Sequence, residues 1–136
     1  MLPPPIITNF IEHVKTAQTD PAVGIRIVRV TGDDHMGLYV AELGAHCSVT
    51  AHYHKNSSEI YQIAHGEGTI HTGLLSCNDS VTWNRSVELK SGDCFTVKEG
   101  EVHQLENTGS ESMIACFVCP AAHIGHDRFI VRGIIP

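Results

Sequence analysis

The stretch His52-Tyr-His-Lys-Asn-Ser-Ser-Glu-Ile-Tyr-Gln-Ile-Ala-His-Gly66 sets two histidines two residues apart and a carboxylate, Glu59, five residues beyond the second. Residues i and i+2 of a strand share a face, so His52 and His54 can reach one point in space. Glu59 can return to that point after a tight turn through Lys55, Asn56, Ser57 and Ser58. A second stretch, Gly92 to Asn107, supplies His103 after another turn. Three imidazoles and one carboxylate make a ready site for a divalent transition metal. Neutral imidazole suits Fe, Mn, Ni, Co, Cu or Zn, and the carboxylate adds charge and a hard oxygen. Such a ligand set leaves coordination positions open for water, substrate or dioxygen, which separates a catalytic metal from a structural one.

These two stretches resemble the paired motifs of the cupin family, G-x5-H-x-H-x3,4-E-x6-G and G-x5-P-x-G-x2-H-x3-N. His52, His54, Glu59 and Gly66 fall at the spacing of the first motif, and Gly92, Gly100, His103 and Asn107 at that of the second. His46 stands where the first motif opens with glycine, and Lys98 replaces the proline of the second. The resemblance implies an all-β, cupin-type double-stranded β-helix, a jelly-roll barrel, with His52, His54, Glu59 and His103 as metal ligands. It does not name a reaction, because cupins share barrel and ligands while differing widely in chemistry. Small cupins also resemble one another in pairing barrels through N-terminal strands. Residues 23–30 carry apolar side chains on both faces, so a homodimer is expected.

Period two extends the inward face to other residues. If His52 and His54 point inward, then Thr50, Ser48 and His46 share that face; Tyr61 and Ile63 follow Glu59, and Leu105 and Asn107 follow His103. A mixture of polar and apolar groups fits a pocket for a small-molecule substrate. His46 and Tyr61 are the candidates for proton transfer or substrate orientation. Arg26 and Arg29, at odd spacing, place at most one guanidinium toward the interior, where it could hold an anionic group. His123 and His126 bracket Gly125 in an expected loop, Ala121 to Asp127, and could form an accessory metal site.

The elements that would carry these groups are short. Asn9 or Thr8 can cap one helix over residues 9–18, which Asp20-Pro21 ends. Beyond it the pattern predicts strands at 23–30, 37–43, 46–53, 59–64, 67–72, 86–89, 93–97, 102–106, 112–119 and 128–134. Residues 74–85, including Trp83, are expected to form a long hairpin loop with Trp83 on the barrel exterior. The whole of residues 1–136 reads as a single domain.

Composition narrows the function. A formal net charge of −6 argues against a nucleic-acid footprint, and no apolar run is long enough to span a membrane. The start, Met1-Leu-Pro-Pro-Pro5, has no basic stretch or apolar h-region, so no signal peptide is expected. The five cysteines suggest no disulfide framework and are expected to be free thiols in a reducing cytoplasm. Cys47 and Cys94 are expected to be small buried residues, and Cys116 and Cys119, three apart on a strand, to face opposite sides. The expected function is a metal-dependent enzyme acting on a small polar molecule, as a dioxygenase or as an isomerase or lyase. The alternative is a non-catalytic binding or sensing protein.

Overall fold

A computed structural model describes residues 1–136. The chain begins with helix α1 (Phe10–Val14) and strands β1 (Gln18–Asp20), β2 (Ile25–Gly32), β3 (Gly37–Leu43) and β4 (His52–Tyr53). It continues through β5 (Glu59–His65), β6 (Glu67–Leu75), β7 (Val81–Trp83), β8 (Val87–Lys90) and β9 (Cys94–Val97). After β10 (Val102–Glu106) and β11 (Met113–Cys119), a single 3-10 turn (Ala121–Ile124) leads to β12 (Phe129–Ile130).

The strands form two antiparallel sheets. One runs β1-β2-β3-β11-β5-β9, and the other β12-β4-β10-β6-β7, with β8 also paired to β6. Strands β1 to β3 and β6 to β7 follow one another, whereas the pairs β3-β11, β11-β5, β12-β4, β4-β10 and β10-β6 join strands distant in sequence, as the jelly roll requires. Tyr39, Ala41 and Leu43 of β3 and Ala115, Phe117 and Cys119 of β11 point into the core between the sheets, together with Tyr61 and Ile63 of β5. The alternate residues Val40 and Cys116 point outward and are covered by Val14 of α1. Both faces of β3 and β11 are therefore apolar, which explains why these strands read as near-continuous hydrophobic runs. Cys116 and Cys119 do lie on opposite sides, and all five cysteines are free.

Several boundaries differ from expectation for identifiable reasons. Helix α1 is capped by Asn9, whose Oδ1 accepts from the amides of Ile11 and Glu12, but it ends at Val14. The chain turns at Thr16 so that Gln18 can pair with Ile27, and tertiary pairing displaces the rest of the expected helix. The predicted strand 46–53 shrinks to His52–Tyr53 because the turn from Gly44 to Cys47 breaks the run. Cys47 lies exposed in that turn, and Cys94 is exposed at the start of the edge strand β9, so neither is the small buried residue expected. Residues 74–85 are not simply a loop, since β7 pairs with β6 and sets Trp83 opposite Gly73. Gly68 is needed for close approach: a Cβ there would lie 2.2 Å from the carbonyl oxygen of Glu106. No helix is long and apolar enough to cross a membrane.

Candidate metal centre

Strand β4 is two residues long yet paired on both sides, with His52 opposite His103 of β10 and opposite Ile130 of β12. The His52 and His103 rings therefore lie side by side, with centroids 4.3 Å apart. His54 leaves the strand at a turn held from below, where its carbonyl accepts from the amide of Gly100. Glu59 opens β5 on the facing sheet, and its side chain crosses to the imidazoles of His54 and His103. All four side chains are at least 95% buried.

The orientation of each imidazole is fixed from behind. Nδ1 of His52 donates to the carbonyl of Thr50 at 2.7 Å, that of His54 to Asp127 at 2.6 Å, and that of His103 to Glu101 at 3.2 Å. A ring nitrogen facing a carbonyl must carry the proton, so each Nε2 keeps its lone pair. Coordinating atoms of His52, His54 and His103 lie within 4.8 Å of one another, as do those of His54, Glu59 and His123. His54 Nε2, His103 Nε2 and Glu59 Oε2 are buried with no hydrogen-bond partner. The separations of 3.5 Å from His54 Nε2 to Oε1 and 3.4 Å from His103 Nε2 to Oε2 are too long to be good hydrogen bonds. Buried atoms of this kind are normally satisfied, and a cation between them would satisfy all three. The donor set fits a divalent transition metal.

Charge agrees with this arrangement. Burial, and next the neighbouring His103, hold the His52 imidazole well below its usual pKa and therefore neutral. Burial alone would raise Glu59, but the surrounding imidazoles outweigh it and keep the carboxyl well below the usual range. Burial, reinforced by the Glu59 carboxylate, pushes the Tyr61 phenol well above its usual value and keeps it protonated.

Above the centre lies a narrow cavity of about 30 Å³, lined by fifteen residues, most of them hydrophobic. Its polar groups are His52, Glu59, Tyr61, His123 and Arg128. Tyr61 thus lies where period two put it. His46 does not: it is exposed, in a turn, with φ of 60°. It occupies the position of the motif's leading glycine and adopts the left-handed backbone that glycine would take. Alternation fails because Val49 and His52, three residues apart, both line the cavity. Ser48 and Thr50 are only half-buried. The other motif departure, Lys98, has an amide that donates to Oε1 of Glu101 at 3.1 Å, a bond proline could not make.

Neither Arg26 nor Arg29, of which at most one could have faced the interior, reaches the cavity. Arg26 pairs with Glu42 and donates to the carbonyls of Val14, Lys15 and Ala17, anchoring α1; Arg29 pairs with Asp34 at the surface. The guanidinium at the cavity is Arg128, whose Nη1 donates to Asp20 at 2.8 Å. The C-terminal loop also holds the largest departure. His126 is exposed, but His123 is fully buried beside Glu59, with Nδ1 3.2 Å from Oε1. Asp127 in the same loop accepts from the amides of Lys55 and Asn56 at 2.7 and 3.0 Å. The only local signal for this loop was its composition, with histidine and aspartate four residues apart after a strand-ending proline.

Comparison with known proteins agrees with this fold. The cupin domain family model matches residues 39–119. The oxalate-binding protein of Thermotoga maritima is 39% identical over 67 residues, which is 48% of this chain and 46% of that protein. The match thus spans about half the length of that relative. A double-stranded β-helix protein from Klebsiella pneumoniae superposes with a TM-score of 0.66 at 22% identity, covering 93% of this chain and 97% of its own. The structure of a predicted oxalate decarboxylase from Thermotoga maritima gives 0.57 at 23%, covering 79% and 81%.

Proposed function

The chain belongs to the cupin family, and on that premise we propose that it is a metal-dependent enzyme acting on a small carboxylate-bearing molecule. The observation that carries this reading is the spending of three Nδ1–H groups on backbone carbonyls, which leaves bare Nε2 atoms around an unpartnered Glu59 oxygen. His52, His54, Glu59 and His103 would hold the divalent ion. When bound, it supplies a Lewis acid that polarises an oxygen of the substrate.

The protein's own groups do the rest. Arg128 lines the cavity and has given one nitrogen to Asp20, so its remaining N–H groups are available to an anionic group. Tyr61 keeps its proton and serves as donor to an oxygen that gains charge. Val23, Ile25, Leu43 and Ile124 exclude water and favour a substrate with a hydrocarbon body. The Thermotoga maritima relative is an oxalate-binding protein, which supports a carboxylate ligand.

A non-catalytic binding protein is the second reading. It is favoured by the engagement of both His123 nitrogens, which leaves the cavity without a free imidazole base outside the ligand set. The deciding experiment measures metal content, then thermal stabilisation by a panel of mono- and dicarboxylates, then oxygen uptake and consumption of each stabilising compound. The expected result is one ion per chain, stabilisation only in the metal-loaded protein, and consumption of a stabilising carboxylate. Equal stabilisation of metal-free and metal-loaded protein would count against the metal reading. Stabilisation without consumption would favour the binding protein, and oxygen uptake would separate a dioxygenase from an isomerase or lyase.

A further inference from the structure

Arg128 is the only arginine or lysine lining the cavity, and its guanidinium makes one hydrogen bond, from Nη1 to Oδ2 of Asp20 at 2.8 Å. Asp20 itself lies outside the lining, and its other oxygen, Oδ1, accepts from the amide of Ala22 at 3.0 Å. Only 10% of the Arg128 side chain and 14% of the Asp20 side chain are exposed. We propose that Asp20 is a positioning residue, set outside the cavity, that holds the Arg128 guanidinium where a substrate carboxylate meets it. This role rests on the carboxylate-binding reading above.

A guanidinium among apolar walls needs a counter-charge. Unpaired, it is costly to desolvate, and its flexible stem carries it out to water. Asp20 supplies the counter-charge from a fixed point. Its main-chain oxygen accepts from the amides of Val23 and Gly24 at 3.3 and 2.8 Å, and the residue pairs with Ile25 between β1 and β2. Val23 and Ile25 are cavity wall, so the turn that builds one side of the cavity also carries the carboxylate. The main chain around Arg128 is fixed independently, since Asp127 accepts from the amides of Lys55 and Asn56 and Phe129 pairs with Tyr53. Only the side chain remains to be placed, and one bond places it. With Nη1 engaged, Nε and Nη2 are left for an incoming carboxylate. Ligand and Asp20 thus share one cation, and Asp20 acts on binding with two opposite signs. As a charge it repels an anionic ligand. As an anchor it strengthens binding, because the donor is already ordered when the ligand arrives.

Asp20→Asn and Asp20→Ser separate these effects. Both keep an oxygen for the Ala22 amide and so keep the turn. Neither then accepts from Arg128, because the asparagine turns an NH2 group toward it and the serine is too short. The test measures Kd for acetate, propionate and oxalate by calorimetry on the full chain loaded with cobalt(II), with metal content and thermal unfolding recorded alongside. The expected result is binding weakened about tenfold in both variants, the effect of one charge-assisted hydrogen bond. Cobalt content should stay unchanged, and crystal structures of the variants should show the Arg128 side chain outside the cavity. Unchanged binding would leave Asp20 with the turn alone, and tighter binding would leave it as a repelling charge alone; either overturns the proposal. Loss of cobalt from the variants also overturns it, since the effect would then run through the metal centre. A wild-type chain that holds cobalt but binds none of the three anions overturns the carboxylate reading and this role with it. Where the asparagine variant does not fold, the serine variant decides.

Discussion

His54 and His123 lie face to face, with ring planes 2° from parallel. One directly follows strand β4 and the other sits in the turn after β11, so the stack joins the centre's floor to its cover. His54 turns its Nε2 toward Oε1 of Glu59, while His123 meets the same oxygen through Nδ1.

The first prediction concerns metal occupancy. His54→Ala removes one nitrogen donor and lowers occupancy, whereas His126→Ala, at an exposed position, leaves it unchanged. Metal analysis after dialysis against the free ion checks both. Full occupancy in the first variant with loss in the second would place the ion elsewhere.

Tyr61→Phe should keep the fold and the ion but slow turnover, by about 100-fold or more if the phenol donates a proton in the rate-limiting step. His46→Ala should leave turnover unchanged, since that side chain is exposed away from the cavity. Steady-state rates for the two variants, measured side by side on the same carboxylate, decide the matter.

Acid should weaken the cover of the site. Burial opposes ionisation of Asp127, but its bonds from the amides of Lys55 and Asn56 prevail and hold the carboxyl below its usual pKa. A depressed carboxyl contributes stability above the unfolded value of about 3.9, and the contribution is lost as pH falls below it. Urea midpoints of wild type and Asp127→Asn should therefore differ at neutral pH, and the gap should shrink as pH falls from about 3.9 through the depressed value of the folded protein. A gap that widens on acidification would contradict this.

Gln104 is a buried clip. Its amide nitrogen donates to the carbonyls of Val49 and Ile135, and its oxygen accepts from the amides of Ile134 and Ile135. Gln104→Ala leaves buried backbone groups unpaired, at a cost of about 1–3 kcal/mol for each group that water does not reach. Urea unfolding should show the loss, and limited proteolysis should cut first at the released C-terminus.

We also propose a homodimer. Leu2, Ile6 and Ile7, in the segment before α1, are 90%, 88% and 85% exposed, and a second copy would cover them. Light scattering at micromolar concentration should give the mass of two chains, and deletion of residues 1–7 should give one. A wild-type monomer would contradict it.

What could be read from the sequence follows from how local each signal is. Strands β3, β5 and β10 obey period two, so Tyr61 and Ile63 follow Glu59 inward, and Leu105 and Asn107 are buried with His103. Between residues 46 and 51 the rule fails because the backbone is bonded irregularly, with Val49 donating to Leu105 and Thr50 to Val23. His46 was therefore misplaced. His123 could be read only as one of a loop pair with His126: its partner Glu59 lies 64 residues away, and only closure of the barrel brings them together. Arg128 was missed for the same reason, since it is fixed by Asp20, 108 residues earlier.

The family match ends at Cys119, yet His123, Asp127 and Arg128 all lie beyond it. The four candidate ligands and Tyr61 belong to the shared barrel, whereas the carbonyl that holds His54 and the cavity's His123 and Arg128 belong to the tail. A recombination event that exchanged only this tail would keep the metal and change the repertoire of molecules it meets. In a lineage of such barrels, the tail would be the part that natural variation can replace like an interchangeable key in a common lock.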